Sequence, residues 1–282
     1  MITIGLTTWS EHQYLLKNKT RPVTLSEYAA HFPTVEVDTS FYGIPQKTTI
    51  LKWQQQVPCS FQFIIKANRA LTGHTNEKLD ILQLKERFSQ FEKALQPLVK
   101  AHQLKTILCQ FPPFFDATRK NVAYLRFFRN QLPNLPLALE LRNQSWYIQK
   151  NRSSLISFCK KQHYTLVAAD EPTQENASVP FFPVATTSEL LVMRLHGRNQ
   201  KGWFNPGKEW RKQRTLYRYN SKELLELKRK IEVLQSNVKE ICVIFNNNSG
   251  GDAAPNALEL KQLLKIDFPD LGPLPPEQTE LF

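Results

Sequence analysis

Several things are scarce in this 282-residue sequence, and each scarcity narrows the field. There are four cysteines, Cys59, Cys109, Cys159 and Cys242, and no two form a C-x-x-C pair. That argues against a disulfide framework and a structural zinc, and points to reduced thiols in a cytoplasmic protein. Glycine is sparse, nine in all, and no G-x-G-x-x-G follows the first apolar run. The dinucleotide-binding form of a doubly wound sheet loses its main signature. No apolar run approaches the ~18 residues of a membrane span, so no membrane partner is expected. Met1-Ile2-Thr3-Ile4 passes straight into a strand pattern without a basic start, so no signal peptide is expected. Internal repeats and low-complexity linkers are absent.

Short apolar runs alternate with longer helical patterns. Eight strands are predicted: 2–7, 35–39, 61–67, 106–111, 137–142, 166–170, 190–196 and 241–246. They are apolar on both faces, as strands covered on both sides must be. Helices are predicted over 25–31, 47–56, 79–102, 120–131, 153–162, 222–235 and 253–264. The first has Thr24 as its cap and Glu27 at the capping-box position. After Asp170 the prolines Pro172, Pro180 and Pro183 predict an irregular connection instead of a helix. The expected fold class is α/β, a single (β/α)8 TIM-type barrel over 1–268 with long irregular loops after strands six and seven. A Pro-rich, flexible tail is expected over 269–282.

Charge is unevenly spread. The chain has 37 Lys and Arg against 25 Asp and Glu, a net +12. Residues 194–230 hold twelve of those cations against three glutamates. Such a concentration favours an anionic partner. In the same stretch aromatics interleave with cations: Arg198, Trp203, Trp210, Arg211, Arg214, Tyr217 and Tyr219. This mixture suits DNA or other nucleic acid, with rings stacking bases and cations meeting phosphates. It suits equally a lid whose rings pack on the barrel.

A barrel of this type carries its site at the C-terminal ends of its strands. Those ends are polar here. Glu36 and Asp38 share one strand face, as do Glu140 and Arg142, and Arg194 and His196. Lys66, Gln110, Asp170, Glu171 and Asn246 close four other strands. One reading is a structural salt-bridge plug. The other is a pocket in which Lys66, Arg142, Arg194 and Asn246 bind an anion, while Glu140, His196, Asp170 or Glu36 moves protons. Glu36, Glu140, Asp170 and His196 also form an oxygen-rich set for a divalent metal. A cation beside each ligand makes that the less favoured reading, and no cofactor is expected.

An ordered series of motifs runs through the chain: Gly5-Leu6-Thr7-Thr8-Trp9; Val35-Glu36-Val37-Asp38-Thr39-Ser40-Phe41-Tyr42; Phe63-Ile64-Ile65-Lys66; Gln110-Phe111-Pro112-Pro113; Leu139-Glu140-Leu141-Arg142; Asp170; Met193-Arg194-Leu195-His196-Gly197; and Phe245-Asn246-Asn247-Asn248. The series resembles the YecE-like family, domain of unknown function 72, over about residues 2–266. The resemblance implies a (β/α)8 barrel whose central pocket is lined by Glu36, Lys66, Glu140, Arg142, Asp170, Arg194, His196 and Asn246. It implies no reaction, because the family's activity is not established. In outline the barrel is similar to endonuclease IV and sugar-isomerase barrels, whose several histidine ligands this chain lacks. Thr8 and Asp38 depart from the family's usual Gly and Asn.

The chain ends Gln278-Thr279-Glu280-Leu281-Phe282, which resembles the pentapeptide that binds the bacterial sliding clamp through Gln278, Leu281 and Phe282. Two functions of different kinds follow. One is a DNA-associated phosphodiesterase or repair-type enzyme recruited by the clamp. The other is a lyase, isomerase or hydrolase acting on a phosphorylated or carboxylated metabolite, with a non-catalytic anion-binding barrel beside it.

Overall fold

A computed structural model describes residues 1–174, 178–204, 207 and 209–274, without the side chains of Trp210 and Arg211. Eight parallel strands close into a barrel in chain order. They are β1 (Ile2–Thr7), β2 (Thr34–Val37), β3 (Gln62–Lys66), β4 (Leu104–Gln110), β5 (Leu137–Glu140), β6 (Tyr164–Asp170), β7 (Leu190–Leu195) and β8 (Glu240–Phe245). Closure is made where β1 pairs with β8 from Ile2 to Leu6 as well as with β2. The helices are α1 (Leu25–Ala29), α2 (Thr39–Tyr42), α3 (Lys47–Gln54), α4 (Ile81–Lys100), α5 (Arg119–Gln131), α6 (Gln149–Lys161), α7 (Gln200–Phe204), α8 (Trp210–Arg214), α9 (Ser221–Leu234) and α10 (Ala253–Leu264).

All eight predicted strands form, within two residues at each end. The helix starts follow from local chemistry. Thr24, Asp80 and Asn220 each begin a capping box, so the first orphan N–H groups of α1, α4 and α9 are satisfied by side chains. The β6–β7 connection has no helix among its described residues, as its prolines predict. The β7–α9 connection differs from the irregular loop expected, because α7 and α8 each form a short helix within it. The start of the Pro-rich segment is tied to the barrel: Gly272 N–H donates to Ala29 O at 2.9 Å and Ser60 Oγ to Asp270 O at 3.2 Å.

The barrel interior has three levels. At the N-terminal end Lys105 pairs with Glu240, which also accepts from Thr3 Oγ1 at 2.5 Å. The middle is apolar: Ile64, Leu108, Ala138, Val167, Val192 and Ile244 fill it with two neighbours. At the C-terminal end the filling turns charged. A larger apolar cluster lies between barrel and helices. Cys109, Cys159 and Cys242 are buried and free, whereas Cys59 is exposed.

Gly5 of β1 pairs with Thr34 of β2. A Cβ there would overlap the Thr34 carbonyl oxygen and stand 2.8 Å from Thr34 Cγ2. Gly5→Ala should therefore force the strands apart and cost roughly 1–3 kcal/mol, as overpacking does. Urea unfolding of the two proteins measures it, and an unchanged midpoint would show that the barrel absorbs the methyl group.

Candidate functional site at the barrel mouth

Strand alternation decides which side chains enter the barrel. Val192 belongs to the interior cluster, so Arg194 and His196 point inward after it. Ala138 places Glu140 and Arg142 inward, Ile64 places Lys66, and Ile244 places Asn246. On β6, Val167 is interior, so Ala169 and Glu171 follow it in and Asp170 faces the helices.

Arg194 is fully buried at the centre of the mouth. Its guanidinium grips Glu36 with two parallel bonds, Nε to Oε2 at 2.7 Å and Nη2 to Oε1 at 2.5 Å. Its Nη1 donates to Glu140 Oε2 at 2.5 Å. Glu140 Oε1 accepts from Arg142 Nη1 at 2.8 Å, and Arg142 Nη2 lies 2.6 Å from Glu171 Oε2. Two arginines thus share three carboxylates in a chain Glu36–Arg194–Glu140–Arg142–Glu171. Burial pushes Glu140 upward, but Arg194 and Arg142 outweigh it and hold its carboxyl well below the usual range. Burial pushes Glu36 above its ordinary value while Arg194 pulls it back.

His196 sits on this network. Its Nε2 lies 3.0 Å from Arg142 Nη1 and 3.4 Å from Arg194 Nη1, against 3.5 Å from Glu140 Oε1. Guanidinium N–H groups can only donate, so Nε2 accepts and Nδ1 carries the proton. Asn246, 2.8 Å from Nδ1, must then meet it with its amide oxygen and not its nitrogen. Burial and the two guanidinium groups hold the imidazole neutral, its pKa lowered to about 3. A proton-donor role for His196 near neutral pH therefore has no support in this geometry.

Asp170, expected in the pocket, stands outside it. Its carboxylate takes Arg198 Nε at 2.9 Å and Nη2 at 3.0 Å, and Tyr219 OH at 2.7 Å. Arg198 Nη1 also reaches Glu223 Oε1 at 3.1 Å, which accepts from Tyr217 OH at 2.6 Å. Glu223 is itself the capping-box residue of α9. Asp170 thus anchors the basic loop. The turn into that loop needs Gly197, whose φ is +88° and whose Cβ would overlap Tyr217. Above the mouth the loop folds inward. The Trp203 ring lies 3.8 Å from the Arg214 guanidinium carbon and 5.1 Å from that of Arg142, with the His196 ring 6.0 Å away. The side chains of Trp210 and Arg211, and the tail residues Gln278, Leu281 and Phe282, lie outside the described residues.

The charged network floors a cavity of about 430 Å³. Lys66, Arg142, Arg214, His196 and Asn246 are on its wall, with Asp38, Phe41, Tyr42, His74 and Gln110. Lys66 Nζ is 3.2 Å from Asp38 Oδ1 and lies over the Phe41 ring. His74 is held by Thr72 Oγ1 at 2.9 Å, and burial with nearby Lys66 lowers its pKa to about 4. Glu171 and Gln110 were expected as polar strand ends but given no role, and His74 was not among the expected site residues. The facing of Glu171 was hidden because β6 is apolar on both faces, which leaves its alternation unreadable. Gln110 was visible as a polar strand end, and His74 is delivered by a loop whose course only the fold determines. Among the described residues no group of three His, Cys, Asp or Glu side chains comes together to hold a metal. The oxygens of Glu36, Glu140 and Asp170 are already taken by guanidinium and hydroxyl groups.

Residues 3–280 match the family model described as protein of unknown function DUF72. The chain belongs to the DUF72 family. It is 41% identical to the UPF0759 protein YunF of Bacillus subtilis across the whole of both chains. A solved DUF72 structure from Enterococcus faecalis superposes with a TM-score of 0.92 at 41% identity, covering 97% of this chain and 98% of that one. A DUF72 protein from Thermotoga maritima gives 0.78 at 28% identity, covering 94% and 100%. The DUF72 relationship establishes the barrel and assigns no chemistry to its mouth. No helix among the described residues is long and apolar enough to cross a membrane.

A neutral His196 has a consequence for stability. The unfolded chain takes up its proton below the ordinary value of 6.5, while the folded chain resists until about 3. Stability must therefore fall as pH drops through that window, by up to about 1.4 kcal/mol per pH unit from this group. His196→Gln should lose this increment, so that its urea stability declines less steeply between about pH 6 and 4. Parallel curves for the two proteins would refute the neutral imidazole.

Proposed function

We propose that the barrel mouth binds one small anionic ligand, bearing phosphate or carboxylate, beneath the lid formed by the β7–α9 connection. The supporting observation is the cavity wall itself. Lys66, Arg142 and Arg214 line it, and Asp38 is the carboxylate set against them among the described lining residues. Its volume of about 430 Å³ falls within the range of small-molecule sites, ~300–1,000 Å³. The charged network beneath supplies rigidity, because each of its groups is already paired. Proton transfer expected of Glu140 and His196 passes instead to His74, an uncharged imidazole on the wall, with Lys66 and Arg142 stabilising developing negative charge.

The lid reading is favoured over a nucleic-acid surface by where the aromatic residues point. Trp203 packs between two guanidinium groups over the mouth, and Tyr217 and Tyr219 spend their hydroxyls on Glu223 and Asp170. The Trp203 face is taken by the Arg214 guanidinium and Tyr219 is fully buried, so neither ring is free to stack on successive bases. The small-molecule lyase, isomerase or hydrolase is therefore the leading function. The clamp-type ending at Gln278–Phe282 motivates the DNA-associated alternative independently of the cavity.

Calorimetric titration with inorganic phosphate separates the two. The wild type should bind, and Lys66→Gln should weaken binding roughly tenfold, the value of one charge-assisted contact. Single-stranded DNA should bind no better than the small anion. A phosphate titration untouched by Lys66→Gln, or strong salt-dependent DNA binding that phosphate does not compete, would overturn the small-ligand reading.

A further inference from the structure

Beside the mouth lies a second cavity of about 400 Å³, with a different character. Its walls are Phe111, Phe114, Phe115, Ala123, Tyr124 and Phe127. These residues come from the end of β4, the loop after it and the outer face of α5. Phe111 and Phe115 are buried and stack at 4.3 Å. The hydroxyl of Tyr124 is already spent on Leu71 O at 2.6 Å, so this ring offers the groove an apolar face. Phe114 forms the outer lip and is 73% exposed. One exposed phenylalanine is ordinary, but one completing a five-ring groove marks a surface that something apolar covers.

The groove and the mouth lie on either side of the same two loops. In the β3–α4 loop Gly73 lines the groove and His74 lines the mouth. In the β4–α5 loop Phe114 lines the groove and Pro113 lines the mouth. Thr72, also on the groove wall, holds the His74 ring at 2.9 Å. Consecutive residues on each loop therefore line a cationic chamber and an aromatic one.

We propose that the ligand is amphipathic, with its anionic head in the barrel mouth and an apolar body lying in the aromatic groove over α5. This rests on the anion-binding reading of the mouth and narrows its substrate class to phosphates or carboxylates carrying an apolar chain or ring system. The juxtaposition has a chemical logic. A bare anion gains little from a wall of five rings, and an apolar molecule gains nothing from Lys66, Arg142 and Arg214. A molecule with both parts uses each. Burying the tail adds affinity roughly in proportion to the apolar area covered, while the head fixes register at the strand ends.

Calorimetry on the full chain with three probes tests this: inorganic phosphate, octyl phosphate and naphthyl phosphate. The tailed probes should bind at least about tenfold more tightly than inorganic phosphate, since even two buried methylenes supply that factor. Ala123→Trp, which fills the groove from the exposed face of α5, should abolish that ratio, and Phe114→Ala should reduce it. Lys66→Gln should weaken the tailed probes as well. A preference for the octyl probe assigns a chain to the groove, and a preference for the naphthyl probe assigns a ring. Tailed and untailed phosphates of equal affinity would overturn the inference and leave the mouth as an anion site. So would a tail increment that survives Ala123→Trp. Tailed probes weakened by Lys120→Gln at the groove rim but not by Lys66→Gln would place the head outside the mouth and also overturn it. If no phosphate of any kind binds, the reading of the mouth itself fails.

Discussion

The whole mouth depends on burying Arg194. A guanidinium removed from water at the centre of a barrel must find partners for its N–H groups or unfold the site. Two other strands of the barrel answer it. Glu36 from β2 takes two bonds and Glu140 from β5 a third, while β7 supplies the arginine itself. Removing one partner of such a group costs about 3–5 kcal/mol, because the remaining charge is left dry and alone. The network therefore fixes the relative positions of β2, β5 and β7 at the barrel mouth. It also sets what those residues cannot do. A carboxylate committed to a guanidinium is a poor metal ligand and a poor base.

Each strand's two faces divide the labour. Inward residues build the charged floor and the cavity wall. The outward Asp170 fixes the basic loop through Arg198 and Tyr219, and Glu223 carries that link into the cap of α9. The basic loop is thereby attached to the barrel at its base and closes over the mouth at Trp203. Its charge, concentrated in the sequence, is partly consumed in this attachment, and Arg214 shows the electrostatic result. Burial and the neighbouring Arg142 lower its pKa to about 10.

The barrel and most of the mouth were legible beforehand. The strand runs are apolar and short, and their ends turn polar at one level, which is how a closed parallel sheet must be written. Glu36, Lys66, Glu140, Arg142, Arg194, His196 and Asn246 all enter the mouth as expected. Their parity could be read because each stands two residues from another polar residue or ends a run whose register is clear. Asp170 could not be placed this way. Its strand reads Leu166-Val167-Ala168-Ala169-Asp170-Glu171, apolar on both faces until two acids stand side by side. The aromatic loop was equally ambiguous, since rings among cations suit a nucleic-acid surface and a lid alike.

The sequence alone therefore determined the alternation of strands and helices, the polar ring at the strand ends and the concentration of positive charge after the seventh strand. These are local properties, written in period and composition. Tertiary structure decided that Glu171 and not Asp170 faces inward, that His196 accepts from arginine and stays neutral, that Trp203 turns toward the mouth, and that an aromatic groove adjoins it. Each of those depends on which residues barrel closure brings within a few ångströms across the sheet. A strand buried on both faces carries no internal mark of which face is which.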